Sequence, residues 1–325
     1  MKYKRLGSSG MKVSGLGLGT NSFGKRADEN ASARILHYAI DSGITFVDTA
    51  NIYAQTESER IIGNALVGRR QQVVLATKAG LVKGQGPNDR GSSRYHLMLE
   101  LEQSLKRLQT DYVDLYQIHT FDPETPLEET LRALDDMVRS GKVRYIGASN
   151  YAAWELMKAI GVSEKWGLNR FVSTQTSYSL ADRTPEQELV ACCQDQGVGI
   201  IPYFPLAGGI LTGKYTSSAV VPAGSRAEKD DHIKRFINET TLPLVEHVRS
   251  FASDLGCSPS ALSLAWLMHQ QAVSTVIVGA TSVEQLEANC RSVELNLDSS
   301  TLQALDAISD HFKYGKPLAV YRLPK

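Results

Sequence analysis

The strongest constraint on the fold is a repeated alternation of short apolar segments with longer segments of helical period. The short segments are rich in β-branched and aromatic residues, which is typical of buried strands, whereas the longer ones carry apolar residues at every third or fourth position. No linker interrupts the alternation, so residues 1–325 are predicted to form a single domain with the fold of a (β/α)8 TIM barrel. The eight predicted strands cover residues 16–19, 44–48, 73–78, 112–119, 143–148, 171–174, 198–201 and 274–278.

Further elements are expected around the barrel. A β-hairpin is predicted near the N-terminus, from residues 3–6 and 11–13. A long polar, glycine-rich loop is predicted after the seventh strand, at residues 208–234, and connections of that length inside a compact domain tend to be functional. Helices are predicted at residues 30–42, 57–67, 95–108, 126–139, 152–160, 186–196, 242–255, 259–270, 283–290 and 299–309.

An open doubly wound sheet is the main alternative to a barrel. Such a sheet usually carries a turn of the form G-x-G-x-x-G between its first strand and helix. The glycines of residues 15–19 lie within the predicted first strand and do not have that spacing. The barrel is therefore the preferred interpretation.

Polar or small residues stand where the predicted strands end. In a barrel of parallel strands every carboxyl end lies at the same face, and reactive groups gather there. One carboxylate at such a position would be explained as a helix cap, and one lysine as a solvated charge, but their repetition favours a functional site. The residues at the strand ends are Thr20, Asp48, Lys78, His119, Ser149, Asn150, Gln175, Tyr203 and Gly279.

Four residues of this region form a set that is able to move a proton: Asp48, Tyr53, Lys78 and His119. A lysine cation near a phenol favours the phenolate, so Lys78 is expected to lower the pKa of Tyr53. The carboxylate of Asp48 is expected to hold Lys78 charged. Tyr53 is therefore a candidate general acid.

The composition restricts the classes of partner. With 35 Lys+Arg against 35 Asp+Glu the chain has no formal net charge, which argues against a nucleic-acid or membrane-surface partner. The four cysteines fit neither a zinc site nor a disulfide framework, and no apolar segment of the signal-peptide type follows the N-terminus. A cytoplasmic protein with free thiols and no metal, acting on a small molecule, is expected.

These positions resemble those of the aldo-keto reductases, and the resemblance extends over essentially the whole chain. It implies a barrel with NADP(H) lying extended across its mouth and hydride transfer to an aldehyde or ketone. It also implies that Tyr53 donates the proton to the carbonyl oxygen, that Asp48 and Lys78 tune Tyr53, and that His119 orients the carbonyl. The most specific segments are Asp48 with Tyr53, Lys78, residues 105–116 with His119, residues 141–150 and residues 205–215.

The resemblance further implies how the cofactor is held. Ser149, Asn150 and Gln175 would bind its carboxamide, and Tyr203 would stack on the nicotinamide. The 2′-phosphate would rest mainly on Arg226. The full set of implied cofactor contacts is Thr20, Asn21, Asp48, Ser149, Asn150, Gln175, Tyr203, Phe204, Pro205, Leu206, Ala207, Gly208, Lys214, Arg226, Gly279, Thr281, Gln285 and Asn289.

Within that set, Leu206, Gly208 and Lys214 would line the pyrophosphate. Two positions depart from the family pattern: Val278 replaces a common proline, and Ala288 replaces a glutamate that contacts adenine in many members. The adenosine end would be surrounded by Arg226, Thr281, Gln285 and Asn289.

Two other functions are compatible with parts of this pattern. The β subunits of voltage-gated potassium channels share the barrel and hold the cofactor as a sensor, but they carry Asn where this chain has His119, which favours an enzyme. A Schiff-base aldolase would use Lys78 as its amine nucleophile. That function leaves four of the strand-end residues without a role, namely Ser149, Asn150, Gln175 and Tyr203. Substrate pockets in such barrels are built from variable loops, and the aromatic residues expected to line this one are Phe23, Tyr53, Trp154 and Tyr321.

Overall fold

The computed structural model describes residues 1–217, 221–223 and 225–324, apart from the side chain of Lys229. Strands and helices alternate along the chain, as the sequence predicts. The strands are β1 (Tyr3–Arg5), β2 (Lys12–Ser14), β3 (Leu16–Gly19), β4 (Phe46–Asp48), β5 (Val74–Ala79), β6 (Val113–Ile118), β7 (Val143–Ser149), β8 (Ser173–Ser177), β9 (Gly199–Tyr203) and β10 (Val276–Gly279).

The strands β3 to β10 form one parallel sheet in the order β10-β3-β4-β5-β6-β7-β8-β9. Ile200 of β9 forms a parallel bridge with Val273, just before β10, so the sheet curves into a nearly closed barrel. The strands β1 and β2 pair in antiparallel fashion as the N-terminal hairpin. The predicted (β/α)8 fold with its hairpin is therefore confirmed.

Helices cover the outside of the barrel. Amino-terminal caps support several of them; the side chain of Asp28, for example, accepts a hydrogen bond from the backbone of Ala31. The helices are α1 (Glu29–Asp41), α2 (Glu57–Ala65), α3 (Arg94–Leu108), α4 (Leu127–Arg139), α5 (Ala153–Trp166), α6 (Leu189–Gln196), α7 (Arg226–Lys229), α8 (Asp231–Lys234), α9 (Thr241–Asp254), α10 (Pro259–His269), α11 (Val283–Cys290) and α12 (Ser299–Ser309).

Three predicted boundaries are wrong by several residues. The helix α5 continues past residue 160 and ends only before Gly167, which has φ 62° and provides a left-handed cap. The helix predicted at residues 186–196 begins late because Glu188, with φ −145°, separates a short 3-10 turn from α6. The sixth strand of the barrel covers Ser173–Ser177 rather than residues 171–174, since its residue pairing with β7 and β9 begins at Ser173.

The hairpin closes the amino-terminal end of the barrel. Leu6 and Val13 are fully buried and pack into the barrel interior, where each contributes about 1.5–3 kcal/mol of burial free energy. The carboxyl ends of the strands are thereby left as the open face of the barrel. Other residues of this inner cluster are Phe46, Ala76, Leu115, Ile201 and Ile277.

A second and larger apolar cluster lies between the strands and the surrounding helices, with Trp266 and Tyr116 among its largest fully buried side chains. No helix in the described part of the chain combines the length and the apolar character that crossing a bilayer requires.

Candidate active site

Asp48 and Lys78 form a buried ion pair at the carboxyl ends of β4 and β5. The Lys78 Nζ atom donates to Asp48 Oδ2 at 2.7 Å and to the Thr49 carbonyl oxygen at 2.8 Å. It also donates to the Tyr53 Oη atom at 3.3 Å. The side chains of Lys78 and Asp48 are 0% and 1% exposed. The structure therefore brings together three of the four residues predicted to move a proton.

The backbone after Tyr53 is strained. Ala54, Gln55 and Thr56 all have positive φ, at 49°, 55° and 81°, a region that residues other than glycine rarely adopt. The following helix α2 is anchored by Ser58, whose hydroxyl donates to Thr20 Oγ1 at 2.9 Å. The Tyr53 ring is thus fixed between the strand end and an anchored helix, a backbone arrangement that the sequence did not predict.

The pKa directions within this cluster follow mainly from burial. Burial raises the pKa of the Tyr53 phenol well above its ordinary value, and the charge of Asp48 and the neighbouring Tyr321 raise it further. The expectation of a lowered Tyr53 pKa is therefore wrong, because burial outweighs any lowering by the neighbouring Lys78. Burial also lowers the pKa of Lys78, and the carboxylate of Asp48 opposes that effect. Tyr53 consequently retains its proton at neutral pH, as a proton donor must.

His119 follows β6 and shares the space above the barrel with Tyr53. The two ring centroids are 6.0 Å apart with the rings nearly perpendicular. Burial, and then the charge of Lys78, lower the pKa of His119 well below its usual value, so the imidazole is neutral. Its Nδ1 atom is buried and has no hydrogen-bond partner among the described residues. A neutral imidazole with an unused ring nitrogen is suited to bonding a ligand oxygen.

The second oxygen of Asp48 is held by two buried amides. Gln175 Nε2 donates to Asp48 Oδ1 at 2.9 Å, and Gln117 Nε2 donates to the same oxygen at 3.1 Å. Gln117 was missed in the sequence analysis. The signal was present, since side chains alternate along a strand, and Gln117 lies on the same inward side of β6 as His119 and the interior residue Leu115.

Ser149, Asn150 and Tyr203 form a second polar group at the ends of β7 and β9. Asn150 Nδ2 donates to Ser149 Oγ at 3.0 Å and to the His119 carbonyl oxygen at 2.9 Å. Tyr203 Oη donates to Asn150 Oδ1 at 2.7 Å. These predicted cofactor residues therefore lie directly beside the proton-transfer residues.

The C-terminal segment crosses this polar group. The Ala319 carbonyl oxygen lies 2.7 Å from Tyr203 Oη, and the Tyr321 backbone nitrogen donates to Asn150 Oδ1 at 3.4 Å. The Tyr321 ring lies 6.3 Å from the ring of His119. Of the aromatic pocket residues expected from the sequence, Tyr321 thus lies at the site, whereas Phe23 is fully buried in the core. Trp154 is 57% exposed.

A cavity of about 350 Å³ lies between the loops after β5 and β6 and the C-terminal segment, and none of the predicted catalytic or cofactor residues lines it. Its wall includes Asp122, three residues after His119, and the partly exposed Arg90. These variable loops are the expected source of substrate selectivity. The other lining residues are Pro87, Asn88, Gly91, Ser93, Pro123, Glu124, Thr125, Leu323 and Pro324.

The loop after β9 carries the next group of predicted cofactor residues. The chain turns sharply through Phe204 and Ala207, with φ 55° and 49°, and through Gly208, with φ 69°. A Cβ atom at position 208 would lie 2.3 Å from Ile233 Cδ1, so the packing and the positive φ together favour glycine. Pro205 and Leu206 lie within the same turn. The predicted segment 208–234 includes residues 218–220 and 224, which lie outside the described residues.

Arg226 and Lys214 are the cations of this loop in the predicted set. Arg226 Nε donates to Asp230 Oδ2 at 3.2 Å, and its guanidinium carbon lies 4.8 Å from the Phe204 ring centroid. Burial and the charge of Arg226 lower the pKa of Arg26, which places a second guanidinium in this region that the sequence analysis missed. The Arg226 guanidinium is therefore held in position by Asp230 and Phe204. One of its nitrogen donors is already bonded to the Asp230 carboxylate.

The predicted adenosine-end residues lie around β10 and α11. The Thr281 backbone nitrogen and hydroxyl both donate to Gln285 Oε1 at 2.9 Å, and Asn289 is buried on the same helix. A Cβ atom at Gly279 would lie 3.8 Å from Asn21 Oδ1, so these two residues are neighbours. Within the described ranges, no hydrogen bond joins Arg226 to this group.

Comparison with known proteins gives a consistent result. The model of the aldo/keto reductase family matches residues 15–310. An uncharacterized oxidoreductase, YrpG from Bacillus subtilis (strain 168), is 41% identical over 319 residues, covering 95% of this chain and 96% of that protein. A probable voltage-gated potassium channel subunit beta from Oryza sativa subsp. japonica is 37% identical, covering 91% and 92%. The L-glyceraldehyde 3-phosphate reductase of Escherichia coli (strain K12) is 34% identical, covering 97% and 94%.

Proposed function

The chain belongs to the aldo/keto reductase family, and we propose that it is an NADP(H)-dependent oxidoreductase that interconverts an aldehyde or ketone with the corresponding alcohol. The observation that carries the proposal is the contact of Lys78 Nζ with both Asp48 and Tyr53, with the neutral ring of His119 facing Tyr53. Its relatives include proteins named as oxidoreductases.

The residues present fit a nicotinamide cofactor. Ser149, Asn150 and Gln175 offer the hydroxyl and amide groups that a carboxamide requires, and the partly exposed ring of Tyr203 offers a stacking surface. Arg226 offers a charge for a phosphate. When bound, the reduced cofactor supplies the hydride.

The proton chemistry belongs to the chain itself. As a carbonyl carbon is reduced, negative charge develops on its oxygen, and donors aimed at that oxygen stabilise the transition state. Tyr53 retains its proton because burial raises the pKa of the phenol, so it can donate to this oxygen. The neutral imidazole of His119 offers a second donor to the same oxygen, and Lys78 then stabilises the phenolate that Tyr53 becomes.

The preference for NADP(H) over NAD(H) rests on Arg226. A 2′-phosphate carries close to two negative charges, and a guanidinium can bind it in a bidentate way. Arg26, whose pKa is affected by the charge of Arg226, adds a second cation to this region. Asp230 competes for Arg226, since it already accepts a bond from its Nε atom at 3.2 Å.

A cofactor sensor of the potassium-channel β-subunit type is the second candidate, and the similarity to the rice protein favours it. The presence of His119 favours an enzyme. A sensor would retain cofactor through purification and turn over slowly, whereas an enzyme would exchange it during each cycle. The aldolase alternative is disfavoured because the Lys78 side chain is completely buried and engaged by Asp48.

The direct test is NADPH oxidation with a panel of aldehydes, ketones and sugars, including phosphorylated aldehydes of the kind that the Escherichia coli relative is named for. We expect turnover with at least one class, and loss of that turnover in Tyr53→Phe. If no carbonyl is reduced faster by the wild type than by Tyr53→Phe, while both are folded and bind NADPH, the enzymatic proposal is overturned in favour of the sensor.

A further inference from the structure

Gln117 is a buried polar residue that the proposed mechanism has not used. It lies in the middle of β6 with 0% exposure, although the strand around it is otherwise mostly apolar. Its Nε2 atom donates to Asp48 Oδ1 at 3.1 Å. Burying an amide has a free-energy cost unless the amide is hydrogen-bonded, and an apolar side chain would fill the same space without that cost. The contact with Asp48 is therefore the feature that needs explanation.

The barrel leaves room for this contact. In the sheet, Gln117 pairs with Lys78 of β5 on one side and with Gly147 of β7 on the other. A Cβ atom at position 147 would lie 3.3 Å from Gln117 Cγ and 2.7 Å from Ser173 Oγ. Because β7 carries no side chain there, the amide of Gln117 can extend across the interior toward β4.

Asp48 is consequently held at both carboxylate oxygens. Its Oδ2 atom accepts from Lys78 at 2.7 Å, while its Oδ1 atom accepts from Gln117 at 3.1 Å and from Gln175 at 2.9 Å. The two amide donors on one oxygen hold the carboxylate in a single rotational orientation. That orientation in turn determines where Lys78 Nζ lies. That nitrogen is 3.3 Å from Tyr53 Oη, so a small rotation of Asp48 would change the contact with the proton donor.

We propose that Gln117 is a positioning residue for the proton transfer, acting through Asp48 to keep Lys78 in contact with Tyr53. This role rests on the proposed carbonyl reduction. Gln117 contacts neither Tyr53 nor His119 by any hydrogen bond among the described residues. Besides Asp48, its side chain contacts Gln175, whose Nε2 atom lies 3.5 Å from Gln117 Oε1 and donates to the same Asp48 oxygen. A simple packing role would require only its volume, whereas positioning requires its amide donor.

Several titratable groups interact with the Asp48–Lys78 pair. Lys78 is bonded to the carboxylate directly, and the charge of Asp48 acts on Tyr53. The charge of Glu59 acts on Lys78, and the charge of Lys78 acts on His119.

The test replaces Gln117 with Met, which has a similar length and volume but no amide. We expect Q117M to lower kcat about ten- to a hundredfold, with NADPH Kd and the carbonyl KM changed by less than about threefold. Ser173→Ala is the matched control, because Ser173 lines the same layer of the barrel and its hydroxyl has no partner in the described part of the chain.

A double-mutant cycle with Asp48→Asn separates positioning from packing. If Gln117 acts through Asp48, Q117M should change kcat little in the D48N background, and the unfolding free energies of the four proteins should also be non-additive. Additive effects on kcat, or a Q117M kcat equal to that of the S173A control, would overturn the proposal. The cycle in unfolding free energy needs no turnover, so absence of coupling there also overturns it. A wild type that reduces no carbonyl at all would instead overturn the proposed function.

Discussion

The two ends of the candidate cofactor site are built in different ways. The proton-transfer end consists of side chains from strand ends, and its central pair, Asp48 and Lys78, is at most 1% exposed. The phosphate end is built on the long loop after β9, where Arg226 and Asp230 are 28% and 32% exposed. Burial excludes water and strengthens electrostatic interactions, whereas a partly exposed pair is screened. The proposed chemistry and the proposed cofactor selectivity thus belong to parts of the molecule that differ in burial and therefore in the strength of their electrostatic interactions.

The largest expected effect tests the buried end. Tyr53→Phe removes one hydroxyl and keeps the ring, so kcat should fall about 10²- to 10⁴-fold while NADPH binding persists. Steady-state kinetics with the best carbonyl, and fluorescence titration with NADPH, measure the two quantities. Near-normal turnover of this variant would show that the proton comes from another group.

The buried pair should also dominate stability. Lys78→Met leaves the Asp48 carboxylate buried without its cation, which should lower the free energy of unfolding by about 3–5 kcal/mol. The double variant K78M/D48N should recover most of that loss. Urea unfolding of these proteins is compared with that of R226A and D230N, whose partly exposed pair should contribute no more than about 1 kcal/mol. Equal losses of unfolding free energy in the variants of the two pairs would contradict the expected difference between the buried and the partly exposed end.

The loop end should control cofactor selectivity. Arg226→Ala removes a charge-assisted contact with the 2′-phosphate and should weaken NADPH binding by about 1.5–3 kcal/mol, with NADH binding little changed. Fluorescence quenching by each cofactor measures both affinities, and Arg26→Ala tests the second guanidinium in the same way. If R226A weakens both cofactors equally, the assigned phosphate contact is wrong.

His119 should make the stability of the folded protein depend on pH. Its pKa is lowered well below the usual value by burial and by Lys78, so the unfolded chain takes up a proton at this ring below about pH 6.5 while the folded chain does not. Stability is therefore lost as pH falls, by about 1.4 kcal/mol from this group between pH 7.5 and 5.5. Urea unfolding at both pH values should show this loss in the wild type and its absence in His119→Asn. An identical pH dependence in the two proteins would contradict a neutral buried imidazole.

The smallest expected effect is that of Asp230 on NADPH binding at the loop end. Asp230→Asn keeps the side-chain shape and removes the carboxylate that accepts a hydrogen bond from Arg226 Nε. Arg226 would then be free to bind the 2′-phosphate, so NADPH should bind a few-fold more tightly, a gain of less than about 1 kcal/mol. NADH serves as the control, because it lacks the 2′-phosphate. Weaker NADPH binding in D230N would show instead that Asp230 holds Arg226 in its binding position.

Much of the fold and of the site could be predicted because both follow from patterns within short stretches of the sequence. Alternating apolar periods predicted the barrel, and the polar residues that ended the predicted strands, such as Asp48, Lys78 and His119, do meet at one face. Strand ends converge in any parallel barrel, so the sequence position of these residues was sufficient to predict their proximity.

Other features depended on the tertiary structure because they arise from contacts distant in sequence. Gln117 looked like a strand residue until the barrel placed its amide against Asp48, 69 positions away. The crossing of the site by Tyr321 has no local period to predict it, since the segment is held by contacts with Asn150 and Thr120.

The pKa of Tyr53 shows most clearly which properties follow from the sequence and which depend on the tertiary structure. The sequence indicated that a lysine and a phenol would be neighbours, which is correct, and the expected consequence was a lowered pKa. The sign was decided by burial, which disfavours the phenolate and raises the pKa. The sequence by itself determined that Asp48, Lys78 and His119 would meet, because they end consecutive strands and the carboxyl ends of parallel strands lie at one face of a barrel. Only the tertiary structure decided their charge states, because desolvation depends on everything packed around them.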